Sequence, residues 1–84
     1  MVPLQVPIVH FYTKKDCPLC EEAKDFLKLL QREIPFTLLE IDIYSNDKLL
    51  QQYGLMIPVV SLNDEIIQYG KVDIDEIRQK LTQF

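Results

Sequence analysis

The chain of 84 residues predicts an α/β domain in which helices flank one mixed sheet of four strands. Apolar, β-branched and aromatic segments alternate with segments of helical periodicity, in the order β-α-β-α-β-β-α. About two dozen residues with one helix separate the first two strands, which is the span of a parallel crossover. Only two residues separate the last two strands, which is the spacing of an antiparallel hairpin.

The first half of the chain supplies a strand, a helix and a strand. Residues 8–13 (IVHFYT) and 36–43 (FTLLEIDI) are too apolar for a surface hairpin and fit strands covered on both faces. The helix between them carries one apolar stripe, formed by Leu19, Ala23, Phe26, Leu27, Leu30 and Ile34. Because Pro35 disfavours helical backbone at Ile34, we expect this helix to end there.

The second half begins with a short helix, NDKLLQQY, for which Ser45 is a candidate N-cap. Gly54 follows it and can adopt the left-handed conformation that ends many helices. Residues 58–62 (PVVSL) and 65–69 (EIIQY) then flank Asn63-Asp64, a pair suited to a two-residue turn. These segments predict the hairpin of the sheet.

The last predicted helix begins after Asp73, which stands three residues before Glu76 as in a capping box. Its apolar stripe consists of Ile74, Ile77 and Leu81, with Phe84 as a further candidate. At the other end of the chain, residues 1–7 contain two prolines and predict an extended lead-in.

Composition limits the classes of partner. The net charge is −4 without a long run of either sign, which argues against nucleic acid and anionic membrane surfaces. The apolar stretches are far shorter than a bilayer span, and the first residues lack the features of a signal peptide. A chain of this length buries roughly 60–65% of its unfolded surface. We therefore expect a cytoplasmic protein that folds as a monomer.

The sequence CPLC contains the only two cysteines, Cys17 and Cys20. Pro18 suits the first helical position, so Cys17 is expected at the N-cap, where free N–H groups and the helix dipole favour a thiolate. Cys20 follows one turn later. The spacing predicts that Cys17 attacks a substrate disulfide and that Cys20 resolves the mixed disulfide.

A zinc site within one chain is not expected. A closed site needs four ligands, and this chain offers only Cys17, Cys20 and His10, the last of which we expect to be a packed or edge histidine. Two other interpretations of the cysteine pair stay open. A metal or iron–sulfur cluster could instead be shared between two chains, which would make the protein a carrier or binding module. Alternatively, the protein could be an adaptor in which the thiols are incidental.

Three segments resemble glutaredoxins: VHFYTKKDCPLCEEAKDFL, YGLMIPVV and YGKVDIDEI. The resemblance runs from about residue 8 to the end of the chain and is greatest to small bacterial glutaredoxin-like proteins. It implies a thioredoxin-like fold, with residues 1–84 forming one domain. It also implies a disulfide oxidoreductase that reduces protein or glutathione mixed disulfides, accepts electrons from a reductase and holds no bound cofactor, glutathione being a possible co-substrate.

The resemblance also implies roles for individual residues. Cys17 would be the nucleophile and Cys20 the resolving thiol. Pro58 would be the cis-proline beside them, and the backbone of Ile57 would pair with the substrate peptide. Lys14 would attract a substrate carboxylate or stabilise the thiolate.

The chain departs from the glutaredoxin pattern at three places that help hold glutathione in that family. Leu19 stands where a tyrosine is usual, and Met56-Ile57 replaces threonine-valine before the proline. Gly70 is followed by Lys71 rather than by a second glycine.

Overall fold

The computed structural model describes residues 6–82. The four strands are β1 Ile8–Thr13, β2 Thr37–Asp42, β3 Val59–Leu62 and β4 Glu65–Tyr69. The helices are α1 Pro18–Glu33, α2 Asp47–Tyr53 and α3 Ile74–Leu81, with a 3-10 turn at Ile43–Ser45. The predicted order of elements is confirmed, and β2 is one residue shorter at each end than the sequence pattern indicated.

The strands form one mixed sheet in the order β2-β1-β3-β4. β1 is parallel to β2 and antiparallel to β3, and β4 is antiparallel to β3. Phe11 in β1 therefore lies beside Glu40 on one side and Val60 on the other. This topology brings the ends of β1, β2 and β4 and the start of β3 to the same edge of the sheet.

The larger core lies between the sheet and the helices α1 and α3. It contains Val9, Phe11, Cys20, Ala23, Leu27, Leu30, Val60, Ile77 and Leu81 among its buried members. The spacing of the buried α1 residues is that of one helical face. Leu29 is 53% exposed whereas Leu27 is fully buried, so the predicted orientation of the middle of α1 is confirmed.

The prediction that Leu19 belongs to the buried stripe is wrong. Leu19 is 46% exposed, and the first member of the buried face is Cys20. Cys20 precedes Ala23 by three residues and Leu27 by seven, which places all three on one face of the helix. Leu19 is turned by about 100° from Cys20 around the helix axis.

A smaller core lies on the opposite face of the sheet, under α2 and the 3-10 turn. Ile43, Tyr53 and Val59 are its buried members. Tyr12, on the central strand β1, packs against this cluster. Both faces of β1 are thus covered over at least part of its length, as its apolar sequence predicted. The same prediction for β2 is wrong, because none of the residues Thr37–Asp42 is buried at this outer position of the sheet.

The ends of α2 differ from the prediction. Asn46, not Ser45, is the N-cap, and its side chain accepts the Lys48 N–H at 2.8 Å. Gly54 has right-handed backbone (φ −54°), not the left-handed conformation expected. A Cβ atom at Gly54 would lie 2.5 Å from the carbonyl oxygen of Leu50, so the close approach of the chain accounts for the glycine.

The predicted end of α1 and the predicted hairpin turn are confirmed, whereas β3 begins at Val59, one residue later than the sequence pattern indicated. Ile34 has extended backbone (φ −130°) and ends α1 directly before Pro35. Asn63 and Asp64 have φ of +49° and +69°, the signs that a type I′ hairpin turn requires. Phe84 and the first five residues lie outside the part of the chain that the structure describes. Within residues 6–82, no helix is long and apolar enough to cross a membrane.

Candidate active site

The two cysteines lie at the start of α1 and are joined by a disulfide, with their Cα atoms 5.1 Å apart. Cys17 is the N-cap, with extended backbone (φ −120°, ψ 102°), and Pro18 is the first helical residue. The Cys20 N–H donates to Cys17 Sγ at 3.2 Å. Both predicted positions are therefore confirmed, and a free N–H of the first helical turn is aimed at the sulfur of Cys17.

The two sulfur-bearing residues differ in accessibility. Cys20 is 1% exposed and belongs to the large core, whereas Cys17 is half-buried and packs at the edge of that core. Cys17 is therefore the more accessible of the two cysteines. Cys20 is held within bonding distance of Cys17 by the first turn of the helix.

The chain makes a tight turn between the end of β1 and Cys17. Asp16 has a φ of +56°, in the left-handed region that aspartate tolerates better than most residues. Lys14 is half-buried, whereas Lys15 and Asp16 are exposed. The sequence analysis made no prediction for the backbone of Asp16. The indication in the sequence was an aspartate, a residue that tolerates left-handed backbone, directly before the N-cap residue.

Ile57 and Pro58 lie at the same edge of the sheet, directly before β3. The Ile57–Pro58 peptide bond is cis, Pro58 is buried and Ile57 is half-buried. Ile57 packs against the same cluster as Cys17. Its N–H already donates to the Tyr53 carbonyl oxygen at 3.2 Å, so pairing with a substrate peptide as predicted would use its carbonyl oxygen or displace this bond.

The loop after β4 is tied to the proline loop. The Gly70 N–H is shared between the carbonyl oxygens of Met56, at 2.8 Å, and Pro58, at 2.9 Å. Gly70 has a φ of +76°, which a residue with a side chain rarely adopts. A single glycine thus connects the two loops beside the disulfide.

Gln68, on β4, is a structural residue that the sequence analysis missed. Its side chain is buried; it accepts the Asp73 N–H at 2.7 Å and donates to Glu76 Oε2 at 2.9 Å. Asp73 caps α3, as predicted, by accepting from the N–H groups of Asp75 and Glu76. The capping box is modified, because Gln68 rather than Glu76 binds the N–H of the cap residue. The only indication in the sequence was an amide that follows the apolar pair Ile66-Ile67 within β4.

Lys14 lines a groove of about 320 Å³ on one side of α1. The residues that line this groove are Thr13, Lys14, Lys15, Glu21, Lys24, Glu40 and Asp42. Lys24 and Glu40 form a salt bridge at 3.2 Å. Carboxylates of the protein therefore share this groove with Lys14. The role of Lys14 toward a substrate stays a prediction.

His10 lies on the central strand and is packed rather than exposed, as predicted. Its ring stacks with that of Tyr12 at a centroid distance of 6.3 Å, and its Nδ1 is buried without a hydrogen-bond partner in the described part of the chain. Tyr12 stacks in turn on Tyr53 at 4.3 Å. Burial, with a smaller contribution from Tyr53, raises the pKa of Tyr12 above that of an ordinary tyrosine. Residues 6–82 contain no group of three or more His, Cys, Asp or Glu side chains arranged to hold a metal.

This fold and cysteine pair match a known family of domains. The family model described as "Glutaredoxin-like domain (DUF836)" matches residues 8–82, which is most of the chain. The chain belongs to this family. The assignment confirms the glutaredoxin resemblance that was based on the CPLC segment and the proline loop.

Solved structures support the same fold for this glutaredoxin-like domain. Protein Ne2328 from Nitrosomonas europaea is 28% identical, with a TM-score of 0.81 over 96% of this chain and 98% of that chain. Protein XcR50 from X. campestris is 22% identical, with a TM-score of 0.75 over 90% and 97% of the two chains. A mutant thioredoxin from Halobacterium salinarum is 18% identical, with a TM-score of 0.72 over 93% and 74%. The fold is therefore thioredoxin-like, and together with the cysteine pair it indicates a redox function.

Proposed function

We propose that this glutaredoxin-like protein is a thiol–disulfide oxidoreductase that reduces disulfides of proteins or of glutathione adducts. The observation that carries the proposal is the position of the cysteine pair. The accessible Cys17 caps α1, and the buried Cys20 is already bonded to it within one helical turn. This arrangement supports rapid interconversion of a dithiol and a disulfide.

The reaction has two steps. In the reduced protein, the thiolate of Cys17 attacks one sulfur of the substrate disulfide, and the other substrate sulfur leaves as a thiolate that takes up a proton. The thiolate of Cys20 then attacks Cys17 Sγ, releases the second substrate thiol and forms the Cys17–Cys20 disulfide. Two electrons pass from the protein to the substrate. A reductase or two molecules of reduced glutathione must return them.

The helix provides the electrostatics of the first step. The Cys20 N–H that donates to Cys17 Sγ in the disulfide is equally directed at a Cys17 thiolate. A hydrogen bond to the anion and the positive end of the helix dipole both favour the charged form. Lys14 and Ile57 are proposed to bind the substrate beside Pro58, by charge and by main-chain contact respectively.

The first test is a redox equilibrium. The protein is equilibrated in graded mixtures of reduced and oxidised glutathione, and each species is identified by its mass. We expect a Cys17–Cys20 couple within the range of about −180 to −270 mV that known oxidoreductases cover. A couple below about −300 mV would mean a disulfide that glutathione does not readily cycle, and it would contradict a glutathione-driven catalytic role.

Substitution of each cysteine tests the division of roles. We expect Cys17→Ser to abolish reduction of a disulfide substrate, because the accessible nucleophile is lost. Cys20→Ser should retain the first step and accumulate a mixed disulfide at Cys17, which mass spectrometry detects. Equal activity of the wild type and the Cys17→Ser protein would rule out this function.

The alternative function, a metal or iron–sulfur carrier that shares a site between two chains, predicts a different result. Anaerobic purification with both cysteines reduced would yield a coloured or metal-containing dimer. We expect a colourless monomer without bound metal. A stoichiometric metal content that is lost in Cys17→Ser would favour the carrier function instead.

A further inference from the structure

A groove of about 460 Å³ lies between the first half of α1 and the start of α3. The residues that line it are Glu22, Phe26, Lys71, Val72, Asp73 and Ile74. Val72 is buried, and Phe26 and Ile74 are half-buried. The groove therefore combines three apolar side chains with three charged ones, all of the charged ones exposed.

The groove is connected to the disulfide along α1. Leu19, which follows Cys17 by two residues, is 46% exposed. Leu19 and Phe26 are seven residues apart and so lie on one side of the helix, about 10 Å apart along its axis. Along the helix axis, the exposed apolar side chain of Leu19 therefore lies between Cys17 and the groove residue Phe26.

The start of α3 offers few donors to an anionic ligand. The Asp73 carboxylate accepts from the N–H groups of Asp75 and Glu76, and the Asp73 N–H donates to Gln68. The side chains of Asp73, Asp75 and Glu76 add negative charge at this helix end. Among the residues that line the groove, Lys71 is the only cation. The groove thus suits an apolar side chain better than the carboxylates of glutathione.

We propose that this groove binds an apolar side chain of a polypeptide substrate whose cysteine reacts with Cys17. Glu22 and Phe26 follow Cys17 by five and nine residues, so the α1 side of the groove is centred about 10 Å from Cys17 along the helix axis. This distance corresponds to about three residues of extended peptide, at about 3.3 Å per residue. The proposal rests on the oxidoreductase function and names its substrate class: the groove selects a polypeptide disulfide with an apolar residue near its cysteine over glutathione.

The reaction that tests the proposal is a single turnover of the reduced protein, which needs no electron donor. Two synthetic peptides carry a central cysteine as a mixed disulfide with nitrothiobenzoate, and leucine or serine about three positions before and after it. The Cys17 thiolate attacks the peptide sulfur and releases the coloured nitrothiobenzoate thiolate. Cys20 then displaces the peptide thiol and leaves the Cys17–Cys20 disulfide.

We expect the wild-type protein to release the chromophore about tenfold faster from the leucine peptide than from the serine peptide, because one leucine side chain is buried. Glu22→Phe fills the groove and should abolish this preference by lowering the rate with the leucine peptide. Asp25→Phe is the matched control, since Asp25 is also exposed on α1 but lies outside the groove. It should keep the preference.

Ile74→Glu is a second variant. It places a charge in the groove at the first turn of α3, where a carboxylate is compatible with the helix dipole. It should also abolish the preference for leucine. Thermal unfolding of each variant verifies that it is folded before the rates are compared.

Equal rates with the two peptides in the wild type, or a preference that survives in both groove variants, would overturn the proposal. Loss of the preference in Asp25→Phe as well would also overturn it. If Glu22→Phe instead slows the reaction with a glutathione mixed disulfide, or disrupts a dimer, the groove binds glutathione or a second copy of the chain. Either result would overturn the proposal. Failure of the oxidoreductase function is recognised separately, because the wild type would then react no faster than Cys17→Ser with either peptide.

Discussion

Cys17 and Cys20 carry the same chemical group, yet their positions give them different accessibility. Residue 20 falls on the buried face of α1 with Ala23 and Leu27, whereas residue 17 caps the helix at the edge of the core. Attack on Cys20 from solvent is blocked by packing. The order of the two steps in the proposed reaction therefore follows from which face of α1 packs in the core.

Tyr12 supplies a pH-dependent contribution to stability. Its pKa is raised by burial first and by Tyr53 second, so the folded protein keeps the phenol protonated at a pH where the unfolded chain, with a pKa of about 10, ionises it. The unfolded state then binds fewer protons, and the free energy of unfolding falls as the pH rises above about 10.

We expect Tyr12→Phe to lose less stability than the wild type between about pH 8 and about pH 11, measured by urea unfolding of the oxidised protein. Tyr44→Phe is the control, since Tyr44 is 62% exposed. The same loss in the wild type and in Tyr12→Phe would contradict the assignment of this pH dependence to Tyr12.

At the scale of elements, α3 is connected to the rest of the protein by specific polar contacts as well as by its apolar stripe. Arg78 forms ion pairs with Glu33 of α1 at 2.9 Å and with Asp75 at 2.7 Å. Hydrogen bonding to Arg78 holds the pKa of Glu33 below its usual value. These pairs are exposed, so they orient α3 against α1 more than they stabilise the fold.

Gln68 makes the corresponding connection between α3 and β4. We expect Gln68→Leu to lower the free energy of unfolding by about 1–2 kcal/mol, because a buried side chain of similar size remains while two hydrogen bonds are lost. Gln79→Leu makes the same chemical change at an exposed position of α3 and should be nearly neutral. Urea unfolding measures both variants. A Gln68→Leu protein as stable as the wild type would mean that the two hydrogen bonds add no net stability.

At the scale of the whole molecule, the sheet order makes β1 and β3 the central strands. Their side chains contribute to the cores on both faces, whereas β2 and β4 are the outer strands of the sheet that residues 6–82 form. All four strands contribute to one sheet, and both cores include residues of β1 and β3. The structure thus supports a single cooperative unit.

We expect backbone amides of β1 and β3, such as those of Phe11 and Val60, to exchange hydrogen only through global unfolding. Their exchange free energies should equal the free energy of unfolding measured by urea, with coincident transitions in tyrosine fluorescence and far-ultraviolet circular dichroism. Amides of the edge strands should exchange at lower free energies. Exchange of the β1 amides ahead of those in β2 would contradict this order of stability.

Most of the local structure was predictable from the sequence, because it depends on neighbouring residues. Pro18 and Pro35 bound α1, Asn63-Asp64 forms the expected turn, and Cys17 caps its helix as predicted. The order of elements followed from hydrophobic periodicity. The CPLC segment predicted a redox pair, and together with the segments around Pro58 and Gly70 it supported the family resemblance.

The three-dimensional arrangement decided what these local rules could not. The exposure of Leu19 and the burial of Cys20 depend on which face of α1 meets the sheet. The role of Gln68 depends on α3, which follows it in the chain and packs beside it.

The sequence by itself therefore determined the elements, the turns and the reactive pair, since propensity, capping and spacing act over a few residues. Only the tertiary structure decided which cysteine is accessible and that a groove forms between α1 and the start of α3. The physical reason is that burial and cavities depend on residues distant in the chain, such as Phe26 and Ile74, which meet only when the helices pack on the sheet.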